Sequence, residues 1–105
     1  MKCTYIICTI VTVEFIWDPK KDRVNVKKHG VSFTEAVTVF FDPLAKVSDD
    51  PDHSNDEDRF IIVGQSQERR TLVVVHVYRS EGNVIRIVSA RKATKRERSE
   101  FEELT

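Results

Sequence analysis

The stretch IRIVSARKATKRERSEFEE, residues 85–103, determines how the C-terminal part of this chain folds. Its alternating start, Ile85-Arg86-Ile87, predicts a buried strand that carries one arginine in an apolar ladder. Five cations then follow closely: Arg91, Lys92, Lys95, Arg96 and Arg98. The whole chain has 17 basic and 17 acidic side chains and no formal net charge. This local excess of cations therefore predicts a polarised surface that suits phosphate groups or an acidic partner.

Length and composition indicate one globular domain over residues 1–105. Hydrophobic residues make up 40% and charged residues 32% of the chain, which is typical of a soluble protein. Residues 13–105 form the expected core domain, and residues 1–12 are either a first strand or an N-terminal extension. The apolar run near the N-terminus is too short to span a bilayer, so no membrane association is expected.

The cysteine content indicates the cell compartment. Cys3 and Cys8 have no nearby cluster of histidines or further cysteines that would complete a metal site. We expect both to be reduced thiols of a cytoplasmic protein. The sequence gives no sign of a metal or another cofactor.

The N-terminal half contains two helix signals on either side of a glycine. Asp18-Pro19 places an acceptor at the N-cap and proline at the first helical position. Gly30 supplies a left-handed stop. Ser32 and Glu35 have the spacing of a capping box and predict a second helix, which ends at Asp42-Pro43.

The second half predicts strands and a last helix. The strands follow a first strand that ends at Trp17 and cover residues 44–47, 59–67, 71–79 and 84–90. The acidic segment 49–58 lacks calcium-loop spacing and is interpreted as a solvated loop. Thr94 and Glu97 form another capping box at the start of the last helix. The predicted fold is α+β, an antiparallel sheet with two N-terminal helices on one face and a C-terminal helix.

The alternation in the last hairpin predicts two different sheet faces. One face would carry Val73, Val75 and Val77 beside Ile85 and Ile87, as the floor beneath the two N-terminal helices. The other face would then combine the remaining side chains, which are Leu72, Val74, His76, Tyr78 and Arg86. A histidine, a tyrosine and an arginine on one face beside a basic helix form a candidate phosphodiester site. Arg59 or its neighbours can join this face from the adjacent strand, although the sequence does not reveal that register.

Four blocks occur in order between Phe15 and Glu102: FIWDPKKDRVNVKKHGVSFTEAVTVFFDP, DEDRFIIVG, LVVVHVYR and IRIVSARKATKRE. Together they resemble the BrnT family of bacterial toxins, which is similar in fold to the RelE-like toxins. The positions that match the family pattern are the Lys28-His29-Gly30 turn, the Glu57-x-Arg59 strand entry, His76 and the block 86–98. Two features depart from that pattern: Phe101 stands where the family often has tyrosine, and residues 1–12 have no counterpart.

The resemblance implies the toxin component of a type II toxin–antitoxin system, a metal-independent ribonuclease that cleaves RNA and inhibits translation. The expected partner is a BrnA-like antitoxin with a ribbon-helix-helix type DNA-binding region. The complex would repress its own operon, and this chain would contact operator DNA only through the antitoxin.

RNA cleavage without a metal needs cations for the phosphate and a group that moves a proton. Arginine suits the phosphate because its fork holds two oxygens, and histidine titrates near neutral pH. Arg59 and Arg86 are the candidate phosphate ligands, and His76 or His29 is the candidate proton carrier. The remaining candidates would bind the RNA, and they are Lys28, Tyr78, Arg91, Lys95 and Arg98.

Each candidate also has a structural interpretation. His29 suits a helix C-terminus in any protein. His76 is compatible with a hydrogen-bonded core position, and Arg86 with a structural ion pair to Glu57 or Asp18. The basic residues after Lys92 are compatible with a solvated helix face.

Two other functions use the same residues. One is a non-catalytic module that binds RNA or a protein. The other is a degenerate toxin that retains only antitoxin binding.

Overall fold

The computed structural model describes residues 2–8, 11–50, 59–79 and 83–104, which form nine elements. The strands are β1 (Lys2–Cys8), β2 (Val11–Ile16), β3 (Lys46–Asp49), β4 (Arg59–Gln65), β5 (Thr71–Arg79) and β6 (Val84–Lys92). The helices are α1 (Pro19–His29), α2 (Phe33–Val39) and α3 (Lys95–Leu104). The acidic segment lies outside the described residues from position 51 to position 58.

The six strands form one sheet in the order β1-β2-β6-β5-β4-β3. Neighbours are antiparallel except β2 and β6, which run parallel where Glu14–Ile16 pairs with Val84–Arg86. The α+β class is confirmed, with a mixed rather than a purely antiparallel sheet. The N-terminal residues form a hairpin, β1–β2, instead of the single strand that the sequence predicted.

The predicted ends of α1 are confirmed. The Asp18 carboxylate accepts a hydrogen bond from the Lys20 backbone N–H at 2.8 Å, as expected for an N-cap. Gly30 has φ +70°, and its N–H donates to the Val26 carbonyl at 2.8 Å. The left-handed conformation that stops the helix is one that glycine adopts at little cost.

The start of α2 has only half of the predicted capping box. Ser32 Oγ accepts from the Glu35 backbone N–H at 3.0 Å. The buried Glu35 carboxylate does not return to Ser32; it accepts hydrogen bonds from Ser66 Oγ at 2.7 Å and from the Arg70 guanidinium. These bonds hold the pKa of Glu35 below its usual value, with Arg70 as the main cause. The glutamate therefore fixes the β4–β5 turn to α2.

The two N-terminal helices pack on one face of the sheet, as predicted, and the hydrophobic core lies between. Its fully buried side chains include Phe15 from β2, Phe33 from α2, and Leu72 and Ile87 from the sheet. Full burial of side chains of this size contributes about 1.5–3 kcal/mol each. The core therefore holds β2, β5 and β6 against the helices.

The strand register contradicts the predicted composition of the two faces. Arg79 pairs with Val84, and this places Val77 opposite Arg86 and His76 opposite Ile87. Directly opposite residues share a face. We call the side with α1 and α2 the helix face, and its β5–β6 residues are Leu72, Val74, His76, Tyr78, Ile85 and Ile87. The other side, the arginine face, carries Val73, Val75, Val77, Arg86 and Arg91. The alternation was recognised correctly, but the pairing was shifted by one residue, and such a shift moves every side chain to the opposite face.

Helix α3 lies on the arginine face at the end where β6 finishes. A cavity of about 450 Å³ is lined by Phe101 of α3 and by Val63 and Val73 of the sheet. Thr94 and Glu97 form the predicted capping box, with both bonds present, at 3.1 Å and 2.8 Å. No helix among the described residues is long and apolar enough to cross a membrane.

Candidate nucleic-acid interface

Two arginines lie in one cross-strand row on the arginine face. Val77 of β5 pairs with Arg59 of β4 on one side and with Arg86 of β6 on the other. We call these three residues the arginine row. Two strand spacings of about 4.8 Å separate the arginine Cα atoms by about 10 Å. Guanidinium groups on long side chains at this separation can both reach one phosphate placed above Val77.

The environment of the row suits an anion. Both arginines are half-buried, and Val77 between them is buried. The Arg59 Nε atom is enclosed and has no hydrogen-bond partner among the described residues. Arg79 is exposed at the next position of the same face, where its strand ends. Because a half-buried cation is screened less by water than an exposed one, it attracts a phosphate more strongly.

His76 lies on the opposite face from the arginine row, so the predicted combination of His76 with Arg86 is wrong. Its side chain is 0% exposed, and its ring packs edge-on against Phe40 at a centroid distance of 4.9 Å. Burial lowers the pKa of His76 to about 4, and the imidazole is therefore neutral at neutral pH. A group enclosed in this way has no direct access to RNA.

The Tyr78 hydroxyl is hydrogen-bonded to one ring nitrogen of the buried His76. Nδ1 of His76 is 3.4 Å from the Val74 carbonyl, which can only accept, so Nδ1 carries the proton. Nε2 then accepts from the Tyr78 hydroxyl at 3.2 Å. The Tyr78 side chain is 42% exposed, and partial burial raises its pKa. Its ring is therefore fixed at the rim of the helix face, with the hydroxyl directed inward.

Lys28 and His29 line a groove between α1 and β6. The groove has a volume of about 310 Å³, and its lining residues are Lys20, Lys21, Val24, Asn25, Lys28, His29, Val88 and Ser89. Ser89 pairs with Val75, two residues along β5 from Val77. The groove therefore borders the arginine face about 7 Å from the arginine row, measured along β5.

Arg91 is engaged within the protein. Two of its guanidinium nitrogens donate to the two Glu97 carboxylate oxygens, at 2.7 Å and 2.9 Å. This pair raises the pKa of Arg91 and lowers the pKa of Glu97 to about 2. The charge of Arg91 is thus matched by a carboxylate that also caps α3, and the residue fastens α3 to the sheet.

The two other predicted residues of the basic block are on the surface of α3. Lys95 is exposed in the first turn. Arg98 lines a cavity of about 360 Å³ together with Arg69, Arg70 and Lys92. This second basic region lies at the end of β5 and β6 opposite to the arginine row, so the predicted RNA-binding residues are divided between two ends of the sheet.

Sequence reasoning overlooked three cations near the row and the groove. Lys20 and Lys21 belonged to the predicted helix but had no assigned role. Lys20 lies in one helical row with Val24 and Lys28, and Lys21 lies in one row with Asn25 and His29. Arg79 is two residues after Val77 in β5, and its side chain therefore lies on the same face, the arginine face. In the part of the chain that the structure describes, no three His, Cys, Asp or Glu side chains form a group suited to a metal ion.

Comparison with known proteins identifies a matching family and a similar solved structure. Residues 17–97 match the profile of a family described as the ribonuclease toxin BrnT of type II toxin–antitoxin systems. The fold is similar to that of the crystal structure of the ribonuclease toxin BrnT from Brucella abortus, with a TM-score of 0.59. Sequence identity is 22%, and the alignment covers 77% of this chain and 96% of that one. No curated protein sequence matches the chain.

Proposed function

This chain belongs to the BrnT family, the ribonuclease toxins of type II toxin–antitoxin systems, and we propose that its arginine row binds the phosphate at which it cleaves RNA. The observation that carries this proposal is the register that places Arg59 and Arg86 on either side of Val77. A guanidinium group can donate to two phosphate oxygens at once. Together the two arginines offset the negative charge that accumulates on a phosphate during cleavage.

The reaction that needs least from the protein is attack by the RNA itself. The 2′-oxygen forms a bond to the adjacent phosphorus, and the bond from phosphorus to the 5′-oxygen breaks. The 2′-hydroxyl gives up its proton to a base, and the departing 5′-oxygen receives one. The products carry a 2′,3′-cyclic phosphate and a 5′-hydroxyl, and the route requires no metal ion.

His29 is our candidate for the proton carrier. It is half-buried at the end of α1 and lines the groove that borders the arginine face. Imidazole exchanges protons efficiently near neutral pH. His76 is not proposed for this role, because it is buried on the helix face and its pKa is about 4.

The other basic and aromatic candidates have supporting roles in this proposal. Lys28 binds RNA in the α1–β6 groove, while Lys95 and Arg98 attract the RNA backbone at the α3 end. Tyr78 offers an exposed ring to a base at the rim. Arg91 is held by Glu97 and contributes to RNA binding only if that pair opens.

We further propose that a BrnA-like antitoxin covers the arginine face and neutralises the toxin. In this arrangement the DNA-binding region belongs to the antitoxin, and the complex reaches operator DNA through it. Toxicity would be exerted in the cytoplasm, where the RNA is translated. Carboxylates on the covering surface would complement the positive charge of the half-buried arginines.

The first test combines expression with RNA mapping. The chain is induced in a bacterial host with and without the adjacent gene, and RNA 5′ ends are mapped. Purified protein is then assayed on a single-stranded RNA in the presence of EDTA. We expect growth arrest that the neighbour relieves, new 5′-hydroxyl ends, and a cleavage rate that EDTA does not change.

The matched variants are Arg86→Ala, Arg59→Ala and, as control, Arg96→Ala. Arg96 is an exposed arginine of α3 that pairs with Glu100. Loss of one preorganised donor typically lowers a rate by about 100- to 1,000-fold, and we expect this of both row variants but not of the control. Unchanged cleavage by folded Arg86→Ala would overturn the assignment of the row. RNA binding without any cleavage by the unaltered protein would instead support the non-catalytic module.

A further inference from the structure

The groove between α1 and β6 combines apolar and cationic lining residues. Val24 and Val88 supply the apolar part of its lining, and Lys20, Lys21 and Lys28 supply the cations. Among its described lining residues there is no carboxylate. The Val24 side chain is 62% exposed, which is unusual for a β-branched apolar residue in a helix rich in lysine.

The helix contributes this lining through its periodicity. Lys20, Val24 and Lys28 are four residues apart and therefore lie in one row along α1. Lys21 and Asn25 form the adjacent row. The other cations of the helix, Arg23 and Lys27, do not line the groove. The sequence therefore places three of its lysines on one side of α1, facing β6.

The sheet contributes to this lining through an irregularity of β6. Strand β2 pairs with β6 only as far as Arg86. Beyond that point Asn25 replaces the missing strand, because its side-chain amide donates to the Ala90 carbonyl at 2.7 Å and accepts from the Ala90 N–H at 3.2 Å. A shift in register between Ile87 and Ser89 leaves Val88 as an extra residue on this edge. The side chain of Asn25 thus closes the sheet edge, while Val88 and Ser89 border the groove.

We propose that the α1–β6 groove binds the nucleotide of single-stranded RNA that lies next to the scissile phosphate. The base contacts Val24 and Val88, and the lysines contact its phosphate. This inference rests on the proposed function, because it places the groove in series with the arginine row, about 7 Å away along the sheet. A volume of about 310 Å³ has room for one base, and unpaired RNA can turn a base out of its strand to reach such a surface.

An acidic peptide would need the same cations, but three features favour RNA. The groove borders the arginine face at Ser89, its apolar surface at Val24 and Val88 suits a flat base, and its cations are lysines that meet phosphates as point charges. Each lysine that contacts a phosphate should contribute about 0.7 to the slope of log affinity against log salt concentration.

The test uses Val24→Glu with Val26→Glu as its matched control. Both valines are exposed on α1, at 62% and 45%, and only Val24 lines the groove. A fluorescent single-stranded RNA with 2′-O-methyl sugars, which cannot be cleaved, is titrated with the full-length protein by anisotropy. We expect Val24→Glu to weaken binding at least tenfold and Val26→Glu to weaken it less than threefold. Equal effects of the two variants would overturn the proposal.

The lysines are tested in the same way. The triple variant Lys20→Ala, Lys21→Ala, Lys28→Ala is compared with the double variant Arg23→Ala, Lys27→Ala in a series of salt concentrations. The triple variant should reduce the salt slope by about 2 and the double variant by much less. Melting curves check that all variants are folded. Cleavage by Arg86→Ala, assayed in parallel, separates the groove proposal from the proposed function. If Arg86→Ala loses cleavage but both lysine variants have equal salt slopes, the groove proposal alone is refuted. If the unaltered protein does not cleave RNA, the proposed function is refuted.

Discussion

His76 and Arg86 are close neighbours in the same sheet, yet the structure gives them opposite environments. His76 pairs with Ile87 on the helix face, where it is 0% exposed and its pKa is lowered to about 4. Arg86 pairs with Val77 on the arginine face, where it is half-buried beside Arg59 across the strand. The histidine, a residue type that suits proton transfer, thus lies in the core. The arginine, a residue type that suits phosphate binding, lies half-buried on the arginine face.

The comparison shows that chemical suitability does not identify a functional residue in a strand. Histidine in a strand is compatible with catalysis or with packing, and the face on which it lies decides between them. Arginine is less ambiguous, since full burial of an unpaired guanidinium is very costly. The following predictions test whether His76 acts only in stability and whether the arginine face acts in RNA binding.

The largest effect on stability is expected for His76→Ala. The substitution leaves a cavity beneath Phe40 and removes the acceptor of the Tyr78 hydroxyl, so we expect the free energy of unfolding to fall by about 2–4 kcal/mol. Cleavage by the folded protein should stay within about threefold of the original rate. Urea unfolding and a cleavage assay at 20 °C measure the two quantities. If His76→Ala proves too unstable to assay, His76→Leu, which preserves most of the volume, takes its place. Loss of cleavage in a folded variant would show that the buried histidine takes part in catalysis and would end the contrast between the faces.

A smaller effect is expected from pH. The folded-state pKa of His76 is about 4, against 6.5 for the free side chain, mainly because burial disfavours its charge. Between these values the unfolded chain binds more protons than the folded one, so stability is complete above pH 6.5 and decreases as pH falls towards 4. From pH 7 to pH 5 we expect a loss of about 2 kcal/mol from this residue.

Urea unfolding at pH 7, 6 and 5 measures the loss. His76→Leu has no ionisable group at this position, and its stability should therefore change by about 2 kcal/mol less over the same range. Parallel curves for the two proteins would show that His76 is protonated as readily in the folded state as in the unfolded state.

The smallest effect on stability is expected for Glu97→Gln. The Arg91–Glu97 pair is bidentate but partly exposed, at 41% and 34%, so its loss should cost only about 0.5–1 kcal/mol. The same change releases Arg91 on the arginine face, and RNA binding should strengthen, with a salt slope higher by about 0.7. Glu100→Gln, which disrupts the exposed pair with Arg96, is the control and should leave RNA binding within about twofold. Weaker RNA binding by Glu97→Gln would mean that the pair positions α3 for the RNA.

Much of the fold was predictable because its signals are local. Asp18-Pro19, Gly30 and the Thr94–Glu97 capping box each define a helix end through contacts within a few residues, and all were confirmed. Strand β5 was predicted with its observed bounds. The Ser32–Glu35 box was half right, since Arg70, thirty-five residues away in sequence, offers Glu35 a charged partner that a backbone N–H cannot match.

The candidate site was less predictable because it depends on contacts between strands. That Arg86 lies in an apolar strand was evident, whereas its partner across the sheet was not. The blocks that resemble the BrnT family identified the family correctly, but they grouped His76 with Arg86, and the register places these two residues on opposite faces of the sheet. Hydrophobic alternation divides the side chains of each strand between two faces. It does not show which of these two sets lies on the same side of the sheet as a given set of the neighbouring strand.

The sequence by itself determined the family, the α+β class, both ends of α1, the starts of α2 and α3, and the clustering of cations near the C-terminus. Each of these depends on residue identity within short spans or on the order of blocks along the chain. The predicted end of α2 at Asp42 was wrong, because the helix already ends at Val39. The tertiary structure alone decided the rest: that Arg59 and Arg86 form one row, that His76 is buried away from them, and that Arg91 is held by Glu97. The physical reason is that pairing register and the burial of a side chain are set by interactions between distant segments, and a change of one residue in register exchanges the two faces of a sheet.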